Sequence, residues 1–349
     1  MDDHSGAPTA SGSGQVLSYR ILPTPFPAYL GGMLETATQN VFCTLASLAE
    51  APVPDDRAAY LAYTDARLST IVVYRRDKRR ITVLGELVDI TTGQLERMVR
   101  DLLESHPGVS VVCLPSVAAR GAPLSLPSQR VNATEDMVIS LPATPEAYLA
   151  SLGPNTRAAI RRAQRLVAAQ HPELVFDACD KGRTGAQRIG QLVELSRLRI
   201  EGKTQVSAHS ADSVARLTRM IDAYGCTLLA SAGGQVCAGV ACTRVGAHVY
   251  MHVIAHRQDF DAVRLGMLCC YLSICDAIRR GAREYHLLSG RYDYKRRLLG
   301  QQRDFERIVV YRSLTGLAAN LDLYTRVFLR AKGRLAKQRY LTWRKKWTH

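Results

Sequence analysis

The stretch "VIAHRQDFDAVRLGMLCCYLSICDAIRRG", residues 253–281, changes character in its middle. It opens as a strand and closes as a long apolar helix that Gly281 stops. Gly266 stands at the join, and no carboxylate lies near it on the helix side. A helix start exposes about four unpaired N–H groups and a partial positive charge, which suits a pyrophosphate. Gly266 permits a phosphate to approach the backbone closely, and Arg257 and Arg264 add full charges nearby.

Working outward, residues 141–315 read as one unit with the element order β-α-α-β-β-β-α-β-α-β after two short entry helices. Thr144 is the expected N-cap of the first entry helix, and "NTRAAIRRAQRLVAAQ" is a basic amphipathic helix around Ile160, Ala163 and Val167. Gly233-Gly234 predicts a two-residue hairpin turn, and Ser210 and Gly225 are expected to bound the helix between them. Upstream, residues 16–140 read as an α+β unit. A hairpin surrounds Arg76-Asp77-Lys78, a helix is capped at Thr91 or Thr92, and "VSVVCLPSV" is a buried strand. Residues 1–15 are small and polar and predict a disordered leader. Residues 316–349 predict a helical tail. After Asp322 it has nine Lys or Arg and no acid, and it holds both tryptophans, Trp343 and Trp347.

The chain has 349 residues, 47% hydrophobic and 22% charged, enough to bury a sizeable core in two units. No apolar run approaches the ~20 residues needed to span a bilayer. Nine cysteines without a CxxC pair predict reduced, mostly buried thiols and a cytoplasmic setting. The net charge of +15 points to an anionic partner.

The order of elements and the strand–glycine–helix joint resemble the GNAT acyltransferase fold. More specifically, residues 141–315 resemble the acetyltransferase domain of CelD-type proteins, linked to bacterial polysaccharide biosynthesis and related to the Fem-type peptidoglycan ligases. The features that carry this are "SLGPNTRAAIRRAQR" (151–165), "GGQVCAG" (233–239), "RLGMLCCYLSICDAIRRGAREYHLLSG" (264–290) and "YDYKRRL" (292–298). The resemblance implies an α+β (mixed α/β) fold: a central mixed β-sheet flanked by helices, in two GNAT-like halves. It implies acetyl-CoA or another acyl-CoA as donor and an amine or hydroxyl of a sugar or cell-envelope precursor as acceptor. The pantetheine arm would pair along Val253, Ile254 and Ala255, and the diphosphate would sit on Arg257, Arg264 and the helix start Leu265, Gly266, Met267 and Leu268.

His248, His252 and His256 recur every fourth residue, so on a regular strand they share a face. The outer two would lie roughly 26 Å apart, too far to hold one ion, and no metal is expected. His256 or His252 is the candidate general base. By resemblance, Tyr294 protonates the leaving thiolate, Glu201 is an alternative base, Arg199 an anion clamp, and Asp293 and Lys295 face the acceptor or a phosphate. An aminoacyl-tRNA donor is the second reading, favoured by the sparse glycines at the joint and the basic surface. A third is a non-catalytic basic protein. The tail suits an anionic membrane surface, at the inner membrane face, or tRNA.

Overall fold

The computed structural model describes residues 4–10, 16–49, 56–201 and 211–347, with side chains placed for 16–49, 56–198, 213–334 and 336. In chain order the elements are β1 (His4–Ala10), β2 (Val16–Pro23), α1 (Tyr29–Thr38), a 3-10 turn (Val41–Cys43), α2 (Leu45–Leu48), β3 (Arg57–Thr64), β4 (Arg67–Asp77), β5 (Arg80–Val83), β6 (Val88–Thr91), α3 (Thr92–Ser105), β7 (Val111–Arg120) and β8 (Ser128–Ser140). Then come α4 (Pro145–Ser151), α5 (Pro154–Gln170), β9 (Val175–Asp180), α6 (Ala186–Glu201), α7 (Ala211–Tyr224), β10 (Cys226–Ala232), β11 (Gln235–Val245), β12 (His248–His256), a 3-10 turn (Gln258–Phe260), α8 (Leu265–Arg279), β13 (Glu284–His286), α9 (Asp293–Arg297), β14 (Gln301–Tyr311), α10 (Leu314–Ala318) and α11 (Leu321–Trp347).

The chain divides into two compact units: Met1–Thr38 with Glu50–Thr134 and Asp304–His349, and Gln39–Ala49 with Glu135–Arg303. These bounds differ from a simple cut at 140 and 315. From Asp304 onward β14 pairs antiparallel with β7, so it completes the first unit's sheet. The end of β8 instead pairs with β13, Ser140 opposite Glu284, inside the second unit. The division thus falls inside β8 and β14, a boundary that hydrophobic periodicity does not register. Within the expected leader, His4–Ala10 is a strand antiparallel to β2, because backbone pairing needs no apolar side chains.

In the first unit the sheet runs β1-β2-β3-β4-β5-β7-β14, with β6 also beside β7. Lys78 takes a positive φ of 47° in the β4–β5 hairpin. Thr91 and Gln94 form a capping box on α3. The apolar face of α3 (Leu95, Met98, Val99, Leu102) closes a core with Ile81, Val112 and Ile308. The start of α11 packs too: Val327 is buried against Val111, Val309 and Tyr311.

In the second unit the order is β8-β13-β12-β11-β10-β9, and only β12 and β13 are parallel. Gly233 and Gly234 turn the β10–β11 hairpin with φ of 55° and 78°. Thr144 caps α4 by accepting from the Ala147 N–H. One core lies between the sheet and α4, α5 and α8, around Ile160, Leu268, Cys270 and Ile274. The other lies under α6 and α7, around Leu192, Val193, Leu217 and Ile221. Both units place a helix between two parallel strands, α3 before β7 and α8 before β13. Gly225, beyond α7, could not carry a side chain, since its Cβ would lie 2.4 Å from the Ile221 carbonyl oxygen. Ser210 lies outside the described residues. No helix among the described residues is long and apolar enough to cross a membrane.

Candidate functional site

The joint read from the sequence is present. β12 ends at His256, a 3-10 turn follows, and α8 starts at Leu265. Arg264 is its N-cap in the left-handed conformation (φ 53°, ψ 42°), and no side chain caps the helix. A second uncapped start faces the same place: α5 begins at Pro154 behind Gly153, again without a side-chain cap. The two starts border one cleft of about 770 Å³, lined by Gly153–Thr156, Arg162, Val263, Arg264, Met267 and Arg297 among others. No carboxylate is among the lining residues. Neither Arg162 nor Arg264 has an ion-pair partner among the described residues, whereas Arg297 pairs with Asp293 at 2.7 Å. Two helix dipoles and three guanidinium groups therefore converge on a space with no opposing negative lining.

Beside this cleft β12 is only half covered. It pairs with β11 along its length, but β13 accompanies it only from His248 to Tyr250. Beyond Tyr250 that edge has no paired strand among the described residues, the arrangement to which an extended ligand can add as a strand. β13 turns away because Leu287 and Leu288 continue pairing with Met137 of β8. Lys295, 3% exposed, fixes this departure: its Nζ donates to the carbonyls of Leu287 (2.6 Å), Leu288 (2.9 Å) and Ser289 (2.6 Å). Burial lowers its pKa to about 8. The ammonium expected to face an anion is thus consumed by backbone.

A bulge changes the faces of β12. Its register with β11 slips between Ala241 and Cys242, which inserts His252 as an extra residue. Val249 and Met251 pack toward α8, while Val253 and Ala255 pack toward α6 and α7. The shared face expected for His248, His252 and His256 is therefore broken, since one inserted residue reverses every later side chain. His252 bonds the Thr243 hydroxyl (2.8 Å) and lies edge-on to Phe42. Burial, with Arg216 nearby, lowers its pKa to about 4, so it is neutral at pH 7. His256 is on the α8 side. Its Nε2 bonds Asp261 Oδ1 at 2.6 Å, and its buried Nδ1 makes no hydrogen bond. A Cβ on residue 266 would lie 2.5 Å from that Nδ1. Gly266 thus makes room for an imidazole whose Nε2 is engaged by Asp261 and whose Nδ1 is buried against the glycine.

The remaining expected residues divide. Arg264 and Met267 line the cleft, but Leu265 and Leu268 are core residues. Arg257 turns to Asp259 and lies over the Phe260 ring. Ile254 packs on the α8 side, and Tyr294 is partly buried there, stacked on Tyr292 at 6.1 Å. The side chains of Arg199 and Glu201, at the end of α6, lie outside the described residues. Neither Asp261, the partner of His256, nor Arg297, in the cleft lining, is among the residues singled out from the sequence. "GPNT" before the basic helix was the available signal for the second helix start.

Residues 154–296, less than half of the chain, match the family model of the acetyltransferase (GNAT) domain. The solved structure of FemX superposes with a TM-score of 0.55, covering 80% of this chain and 96% of that one at 9% identity. A conserved protein of unknown function from Bacteroides thetaiotaomicron VPI-5482 gives a TM-score of 0.50, with 84% and 100% covered at 11% identity. No curated protein matches the sequence. At these identities the structural likeness establishes the fold. Residues 154–296, within the second unit, are thus similar to GNAT domains, and the chain shares the fold of FemX.

Proposed function

We propose that the protein is an acyltransferase that moves an acetyl or other acyl group from CoA to an amine or hydroxyl of a sugar or cell-envelope precursor, in the cytoplasm. The observation that carries this reading is the cleft where two uncapped helix starts meet Arg162, Arg264 and Arg297, beside the open edge of β12. An acyl-CoA thioester would supply the electrophilic carbonyl. The arginines and helix starts suit its diphosphate, and the Met251–His256 backbone edge suits the amides of its arm. Backbone N–H groups there oppose the charge that develops on a carbonyl oxygen under attack. His256 and Asp261 order the loop that carries Arg264. Tyr294 serves as proton donor to the leaving group and Glu201 as proton acceptor.

An aminoacyl-tRNA donor is the second reading. It is favoured by the net charge of +15 and by an arginine, not a glycine, in the left-handed position before α8. Calorimetry with acetyl-CoA and longer acyl-CoAs separates the two. Micromolar binding is expected. No binding of any acyl-CoA at millimolar concentration overturns the CoA reading and favours the tRNA one.

A further inference from the structure

The spacing of histidines along β12 argues against a metal, but the parallel register of β12 and β13 gathers a different set. His248 lies opposite Glu284, and Tyr250 opposite His286, so these side chains share one face. His286 Nε2 is 3.4 Å from Glu284 Oε2, and His248 Nδ1 is 4.0 Å from the same oxygen. One ligand atom from each of the three residues falls within 4.8 Å of the others.

His286 is built as a metal-binding histidine is built. Its Nδ1 meets Asp136 Oδ2 at 2.7 Å, and the Asp136 side chain is 1% exposed. Its own side chain is 8% exposed, and the buried Nε2 meets only the Glu284 carboxylate, at 3.4 Å and outside hydrogen-bond geometry. A carboxylate on one ring nitrogen fixes the tautomer and aims the other lone pair at an ion. Tyr250 stacks on the ring with centroids 4.2 Å apart and holds its plane. The side chains of His248 and Glu284 are 26% and 20% exposed, which leaves a path from solvent.

We propose that His248, Glu284 and His286 bind one divalent late-transition-metal ion of the Zn²⁺ or Co²⁺ kind, joining β12 to β13 where the two strands are about to part. Two imidazoles and one carboxylate select this class over Mg²⁺ or Ca²⁺, which take oxygen ligands. Water fills the fourth position. Arg303 is the competitor, because its guanidinium bonds both Glu284 oxygens, at 2.8 and 2.6 Å. Ligation takes Oε2 from Arg303 Nη1 and leaves the Nη2–Oε1 bond in place. Any proton on a ligating ring nitrogen passes to solvent as the metal binds, so acid weakens the site.

The test titrates the full chain with Co²⁺ alone, reads the visible absorption of the bound ion, and then displaces it with Zn²⁺. One equivalent with the intense spectrum of four-coordinate Co²⁺ is expected. Asp136→Asn should weaken binding roughly 10–100-fold, the usual cost of losing the group that orients a ligand. His248→Gln should weaken it by at least as much, and Arg303→Met should tighten it. Zn²⁺ should raise the Tm of the wild type but not of His248→Gln. Should Asp136→Asn fail to fold, His248→Gln decides, because that half-buried side chain makes no hydrogen bond below 3.5 Å to the cluster. No Co²⁺ uptake at millimolar concentration, or unchanged uptake in His248→Gln, overturns the proposal.

Discussion

The imidazole of His256 occupies the space that a side chain on residue 266 would need, with Nδ1 only 2.5 Å from where the Cβ would stand. The glycine at the head of α8 is therefore tied to a histidine at the end of β12. Gly266→Ala should push the ring off its bond to Asp261 and cost about 1–3 kcal/mol of stability, as overpacked cores do. In a His256→Ala background the same change should cost much less. A double-mutant cycle by urea denaturation measures the coupling, and additive costs would refute the steric link.

Lys295 donates to three carbonyls at the point where β13 leaves β12. Lys295→Met removes those bonds without adding volume and should destabilise the fold by about 1–3 kcal/mol at pH 7. The pH dependence follows from the pKa, about 8 in the native state and 10.5 when unfolded. Between these values the unfolded chain binds more protons, so wild-type stability gains as pH rises from 8 to 10.5. The gap between wild type and variant should widen over that window. A constant gap in denaturation midpoints would show that Lys295 is not held as described.

The strand–glycine–helix joint, the Gly233-Gly234 turn and the Thr144 cap were legible because each rests on residues close in sequence. The faces of β12 were not. A single extra residue, His252, inverts the alternation, and no local pattern in "HVYMHVIAH" marks where register slips. Arg264 was found from its place beside the glycine, but Arg162 and Arg297 join it only through packing of α5 and α9 on α8. Lys295 was expected to face the acceptor or a phosphate, yet it is buried on backbone carbonyls. Its burial depends on the loop 287–289 folding back over it, a contact that composition does not report.

His252 is neutral at pH 7, packed on the α7 side against Phe42 and Thr243. His252→Gln keeps a hydrogen-bonding group of similar reach and should leave kcat unchanged. Its effect should appear in acid. The native pKa of about 4 lies below the ordinary 6.5, so the unfolded chain takes up a proton first. This group's contribution is fully present above pH 6.5 and is lost as pH falls toward 4. The variant should lose less stability than the wild type over that range in thermal melts. A large fall in kcat would restore His252 as a base.

Tyr294 lies on the α8 side of the sheet, three residues before the cleft residue Arg297. If it protonates the leaving thiolate, its hydroxyl matters only as charge develops in the transition state. Tyr294→Phe should then lower kcat by roughly 10²-fold or more, at the lower end for positioned proton transfer, with little change in KM. An unchanged kcat with a raised KM would make the ring a wall of the site and not a proton donor.

Arg162 and Arg264 reach the cleft from different helices and have no ion-pair partner of their own among the described residues. Replacing either with Gln removes a guanidinium from an anion site without breaking an internal bridge, so the fold should be unaffected. A charge-assisted hydrogen bond is worth about 1.5–3 kcal/mol, which sets the loss at roughly tenfold or more in acyl-CoA affinity for each. The binding should weaken with salt in the wild type, and less steeply in the double variant, because fewer charges remain to be screened. Arg297→Gln should cost less, since Asp293 already partly neutralises that side chain. Titrations at two ionic strengths give all these values. Equal losses for Arg161→Gln, on the same helix but outside the cleft lining, would mean that general surface charge and not this cleft attracts the ligand.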